Sequence, residues 1–215
     1  MSAELKQVEA ALAHDLNNLL QVIMGNLELL KRRREFLPEI IEAALQATRN
    51  AAQLGDRLGA VGRLQAHEPR SFDVNRLLSE LAPVLARAVG ERIHVDLKLA
   101  SDAATAFADP HSLHVALLEL TMNARQAMPA GGRLAIQTAN AGDQVAIEVA
   151  DNGVGMPPAA LARARAPQVP VAEGERPAGL GFLIVHRCAR QSGGRVEIAS
   201  GVSGTTVRLY LPVAK

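Results

Sequence analysis

The chain has 215 residues, 48% hydrophobic and 21% charged, enough for one large domain or two small ones with their own cores. A formal charge of +1, with four Phe, one Tyr and no Trp, argues against the basic, base-stacking surface of a nucleic-acid binder. No run of 18 apolar residues is present, the first residues lack a secretory pattern, and the lone Cys188 excludes an intramolecular disulfide, so a cytoplasmic setting without a membrane segment is expected.

Residues 3 to 66 hold a single proline, Pro38, and read as two helices joined near "KRRREFLP". Leu5, Val8, Leu12, Leu16, Leu19, Ile23, Leu27 and Leu30 recur about every 3.6 residues, giving the first helix one apolar stripe. In "AHDLNNLL", His14 lies roughly 190° from the centre of that stripe at about 100° per residue, so it is expected to face solvent, with Asn18 one turn on. A neutral imidazole can attack phosphorus, an adjacent carboxylate such as Asp15 can orient the ring, and an uncharged amide such as Asn18 can hold a water or a phosphoryl oxygen. The second helix has a weaker stripe through Ile41, Ala44 or Leu45, Thr48, Ala51, Leu54, Leu58 and Val61. Two such helices cannot bury both stripes, so two copies should form a four-helix bundle and the protein a homodimer. Lys31 to Arg34 suit the negative end of the first helix dipole.

Beyond "AHEPRSF", Gly, Pro and short β-branched runs become frequent, placing a domain boundary there, between 1–67 and 70–215. "SFDVNRLLSELAPVLARAV" reads as a helix capped near Ser71 or Asp73, and "RIHVDLKLA" as a strand. "DPHSLHVALLELTMNARQAM" and "GLGFLIVHRCARQSG" read as helices; "RLAIQTA", "QVAIEVAD", "RVEIAS" and "TTVRLYLP" read as strands. The second domain is therefore an α/β sandwich, and the whole chain α+β.

Glu119 and Asn123 stand four apart on one helical face and offer oxygens to a hard cation such as Mg²⁺. Asp151, at a strand end in "DNGVGM", can accept from an exocyclic amine, and Gly153 and Gly155 leave room for a ligand near the backbone. In "AGLGF", Gly179 and Gly181 open a helix whose N–H groups suit phosphate. His111 and His114, three apart, have no third ligand nearby and read as an exposed helix start, and Cys188 as a small packed residue.

Taken in order, these stretches resemble the catalytic core of sensor histidine kinases over residues 5 to 212: "AHDLNNLL" is similar to their H-box, "HSLHVALLELTMNARQAM" to their N-box, and "DNGVGM" and "AGLGF" to their two glycine boxes. The branch it resembles has His-Asp-x-Asn-Asn. The resemblance implies a dimerising hairpin bearing phosphoacceptor His14, followed by an ATP-binding domain of the gyrase and heat-shock-protein type with a mixed sheet. It implies that Asp15 assists transfer, Asn18 positions water for dephosphorylation of the partner, Asn123 binds Mg²⁺ with Glu119 nearby, and Asp151 reads adenine. The implied partner is a response-regulator receiver domain.

The sequence departs from that branch between the glycine boxes. "PQVPVAEGERPAGLG" has Gln168 and Val169 for an aromatic pair, Ala172 for a lysine and Ala178 for a threonine, with Arg176 the nearest cation. Phosphoryl transfer depends on positioning and charge neutralisation, so this lid leaves two readings: an ATP-dependent kinase of His14, or a histidine phosphotransfer or docking protein whose nucleotide domain is degenerate. An ATPase or a serine kinase on the same ATP fold would not need the H-box hairpin.

Overall fold

A computed structural model describes residues 17–18, 20–30, 39–45, 47–48, 51, 68–102, 105–166 and 180–214. The chain divides into two compact units, Met1–Ala66 and His67–Lys215.

In the first unit the described residues of 17–30 form helix α1, and those of 39–51 form α2. On α2 the buried positions are Ala44 and Ala47, with Ile40, Ile41 and Ala51 half-buried; Leu45 and Thr48 point outward, so of the two stripe alternatives at 44 and 45 the structure selects Ala44. On α1, Ile23 and Leu30 are half-buried as the stripe requires, but Leu27 of the same stripe is 54% exposed within a single chain. Leu20, Val22, Met24 and Leu29 are exposed with it. His14, Asp15 and the rest of the stripe up to Leu19 lie outside the described residues, as do Gly179 and the lid positions 167–178.

The second unit is built on a five-stranded sheet, and the α+β expectation holds. Its strands are β2 (Ile93–Lys98), β4 (Gly132–Ala141), β5 (Gln144–Asp151), β6 (Arg195–Gly201) and β7 (Gly204–Pro212), in the order β2-β4-β5-β7-β6. The β2–β4 pair is parallel and the other three pairs are antiparallel, so the sheet is mixed. Period-two alternation puts Leu134 and Ile136 of β4, Val145, Ile147 and Val149 of β5, and Val207, Leu209 and Leu211 of β7 on the inner face. The outer face carries charge, with Arg208 bonded to Glu148 at 2.6 Å and the Arg195 guanidinium 3.7 Å above the Tyr210 ring.

Helices α3 (Val74–Val89), α4 (Pro110–Ala127) and α6 (Leu180–Gln191) cover the inner face, with α4 packed between α3 and α6. Asp73 rather than Ser71 caps α3, its carboxylate accepting the Arg76 N–H, because residues 70–72 are extended as strand β1 (Arg70–Phe72). Strand β1 pairs antiparallel with β3 (Ala106–Ala108), a two-stranded ribbon too short to leave a pattern in the sequence. A further helix, α5 (Pro158–Arg165), was likewise not foreseen. Helix α4 starts sharply: Pro110 occupies its first turn, and Asp109 accepts the N–H groups of His111 at 2.9 Å and Ser112 at 3.4 Å.

Candidate functional site

The ends of α4 and β5, the loop after β5, the start of β7 and the first turns of α6 surround a cleft of about 300 Å³. Its walls are largely apolar, with Leu120 and Ala124 from α4, Val149 from β5, Met156 from the loop and Phe182 from α6; Asn123, Asp151 and Thr205 supply polar groups. An apolar slot with a few converging polar groups is the ordinary form of a small-molecule site.

Asp151 ends β5 at this cleft, half-buried. Its Oδ1 accepts the N–H of Gly153 at 2.9 Å and of Thr205, 54 positions on, at 3.2 Å. Burial pushes its pKa above the ordinary carboxylate value, against the lowering effect of those two hydrogen bonds. The loop beyond is tied on every side. Asn152 Oδ1 accepts the Arg133 N–H at 2.8 Å, Val154 donates to the Ala127 carbonyl at 3.0 Å, and Met156 donates to Ser200 Oγ at 2.8 Å.

The two loop glycines have a different cause from the one the sequence suggested. A Cβ on Gly153 would lie 2.5 Å from the Ala127 carbonyl oxygen, and one on Gly155, at φ +69°, would lie 1.8 Å from that of Gly201. Their missing side chains are therefore required by the protein's own backbone, which lets the loop press onto the end of α4 and the β6–β7 hairpin. Gly155 lines the cleft, and Gly153 packs behind it.

Glu119 and Asn123 share one face of α4, but that face is covered rather than open to solvent. Glu119 is 6% exposed, and Asn123 Nδ2 is buried with no hydrogen-bond partner among the described residues. The first turn of α6 lies over the pair: a Cβ on Gly181 would come within 2.8 Å of Glu119 Oε2 and 3.2 Å of Asn123 Nδ2. Gly181 thus keeps open a space beside an acid and an amide at the start of a helix. Among the described residues no cluster of three His, Cys, Asp or Glu could hold a metal ion by itself. One acid and one amide suit Mg²⁺, which takes few protein oxygens and shares the rest of its shell with water and phosphate.

Of the sequence-predicted residues, Asn123, Asp151 and Gly155 therefore meet at one cleft, and Glu119 and Gly181 adjoin it through Asn123. Asn18 is exposed on α1, in the other unit. Thr205, Phe182 and Met156 also line the cleft and were missed. Thr205 stands in "SGTTVRLYLP", which reads only as a strand until its register beside Asp151 is known. Cys188 is fully buried, its thiol pushed up to about 12 by burial and then by the nearby Asp109 charge.

The sequence family described as Histidine kinase-, DNA gyrase B-, and HSP90-like ATPase matches residues 108–215, and that described as His Kinase A (phospho-acceptor) domain matches residues 4–67. The sensor kinase CckA of Brucella abortus (strain 2308) is 31% identical over 226 residues, covering 96% of this chain and 24% of that protein. The structure of full-length ShkA in complex with AMPPNP is 25% identical with a TM-score of 0.64, covering 96% of this chain and 46% of that one. The histidine kinase ThkA in complex with the response regulator protein TrrA shares the fold, with a TM-score of 0.74 at 17% identity over 95% of this chain and 60% of that one. The chain spans between 24% and 61% of the length of the curated relatives it matches. Among the described residues no helix is long and apolar enough to cross a membrane.

Proposed function

The chain belongs to the histidine kinase-, DNA gyrase B- and HSP90-like ATPase family, with a His Kinase A phospho-acceptor domain ahead of the ATPase domain, and from that premise we propose that it is a two-component kinase core that phosphorylates its own His14 from ATP and passes the phosphoryl group to a receiver-domain aspartate. The observation that carries this reading is the cleft: a half-buried Asp151 in an apolar slot, beside Asn123 and Glu119 under the Gly181 turn. The AMPPNP in the ShkA structure supports the nucleotide assignment, and the regulator bound to ThkA supports the partner.

In this reading residues 1–67 form the dimerising phosphoacceptor hairpin and residues 70–215 bind ATP. The adenine ring enters the slot between Leu120, Val149 and Met156, and its exocyclic amine donates to Asp151. Asp151 can receive it because both its backbone bonds fall on Oδ1, leaving Oδ2 as an acceptor. The phosphates lie toward the start of α6, where the glycines of "AGLGF" open a helix whose N-terminal N–H groups suit phosphate. Asn123, with Glu119 behind it, would hold Mg²⁺, which when bound neutralises charge on the phosphate oxygens. A neutral His14 ring nitrogen attacks the γ-phosphorus; the N–P bond forms as the bond to the β,γ-bridging oxygen breaks, and that oxygen leaves with the electron pair on ADP. Asp15 orients the ring and draws off its other proton. Asn18 later holds the water that hydrolyses the regulator's acyl phosphate. The receiver chemistry has its own test: adding a receiver domain to chain labelled at His14 drains the label, and a receiver lacking its aspartate does not.

The second reading rests on the lid, where Gln168, Val169, Ala172 and Ala178 replace the groups expected to pack and to contact phosphate. In it the dimer is a histidine phosphotransfer or docking protein. Its signature is label reaching His14 from a phosphorylated receiver without nucleotide.

A further inference from the structure

Ser200, the penultimate residue of strand β6, does not line the cleft, yet it joins two of its walls. Its Oγ accepts the Met156 N–H at 2.8 Å, stands 2.9 Å from Thr205 Oγ1, and donates to the Gly204 carbonyl at 3.3 Å. A hydroxyl has one proton and two lone pairs, so it can accept from Met156 and Thr205 and donate to Gly204 at once. Thr205 in turn gives its N–H to Asp151 Oδ1 at 3.2 Å. The loop and the hairpin also meet backbone to backbone, since a Cβ on Gly155 would lie 1.8 Å from the Gly201 carbonyl oxygen and 3.3 Å from Ser200 Oγ.

From this chain of bonds we propose that Ser200 is a positioning residue for the base end of the cleft: it fixes the glycine loop at Met156 to the strand that aims the Asp151 carboxylate. The proposal rests on the nucleotide reading of the cleft. Ser200→Ala leaves the Met156 N–H without its acceptor and removes the partner that steadies Thr205, so the effect falls on whatever Asp151 recognises.

The test compares Mg·ATP with Mg·ITP, which lacks the exocyclic amine, by calorimetry on the full chain. Ser200→Ala is expected to weaken ATP about three- to tenfold, the range for one lost hydrogen bond, and to leave ITP unchanged, so that discrimination narrows. Ser200→Thr, which keeps the hydroxyl, restores it. In the nucleotide-free chain the Asp151 carboxyl, followed by NMR, should titrate at higher pH in Ser200→Ala, because the lowering bond from Thr205 is loosened. If Ser200→Ala does not fold, Ser200→Cys makes the same comparison with a weak acceptor. Equal weakening of both nucleotides, or no change in either, overturns the assignment and leaves the nucleotide reading standing. Absence of ATP binding by the unsubstituted chain overturns that reading instead, and the Asp151 titration then decides alone: an unmoved carboxyl ends the proposal.

Discussion

Helices α4 and α1 depart from ordinary amphipathic design in opposite directions. Helix α4, enclosed by the sheet, α3 and α6, buries Glu119 and the Asn123 amide nitrogen where apolar side chains would pack best. Helix α1 leaves Leu20, Val22, Met24, Leu27 and Leu29 between 45% and 60% exposed, where polar side chains would cost nothing. Burying polar groups costs stability, and leaving large apolar ones in water forgoes about 1.5–3 kcal/mol each. In the reading proposed above, both departures are met from outside the single chain: by a nucleotide with its cation at α4, and by a second copy of the hairpin at α1.

That contrast can be broken at either end. The largest effect is expected at the cleft: Asp151→Asn should cost about 100-fold in ATP affinity by calorimetry, as loss of a charged hydrogen-bond acceptor. The stability sign runs the other way. Because burial raises the Asp151 pKa, its contribution to stability is fully present below the ordinary carboxylate value and is lost as pH rises through the raised one. Asp151→Asn should therefore melt no lower than the parent at pH 7, and the difference should vanish as pH falls into the ordinary carboxylate range. At α1, Met24→Glu with Leu27→Glu should raise the dimer dissociation constant on the order of 100-fold, read by sedimentation, and leave ATP binding intact. An unchanged dimer would mean that this face serves another purpose. The smallest effect is expected at Gly181→Ala. In an exposed helix this change would stabilise by about 0.5–1 kcal/mol. Here the added methyl crowds buried Glu119 and Asn123, so Mg²⁺-dependent ATP affinity should fall about tenfold, the cost of one overpacked contact, and the melting temperature should not rise as it would in an exposed helix. If affinity held, the Gly181 turn would not be part of the site.

The two helices also show what could be read from residues alone. Strands β4, β5 and β7 alternate so regularly that period two locates them, though β4 (Gly132–Ala141) runs past both ends of "RLAIQTA", and α4 carries both its cap and its paired polar residues in sequence. The cleft's third dimension was not legible. Thr205 and Ser200 reach Asp151 and Met156 only through the β5–β7 register and the β6–β7 hairpin, and the first of these pairs Asp151 with Thr205, 54 positions apart, which no local pattern links. Gly153 and Gly155 were found, but their reason was not, since the carbonyls of Ala127 and Gly201 that exclude a side chain come from distant segments. The strands β1 and β3, three residues each, hold too few positions to display a period.

Whether the cleft supplies phosphate to the hairpin is decided by incubating the full chain with γ-labelled ATP and Mg²⁺. An acid-labile, base-stable label on the protein that disappears in His14→Gln is the expected result. No label on a chain that binds ATP clearly by calorimetry would contradict it.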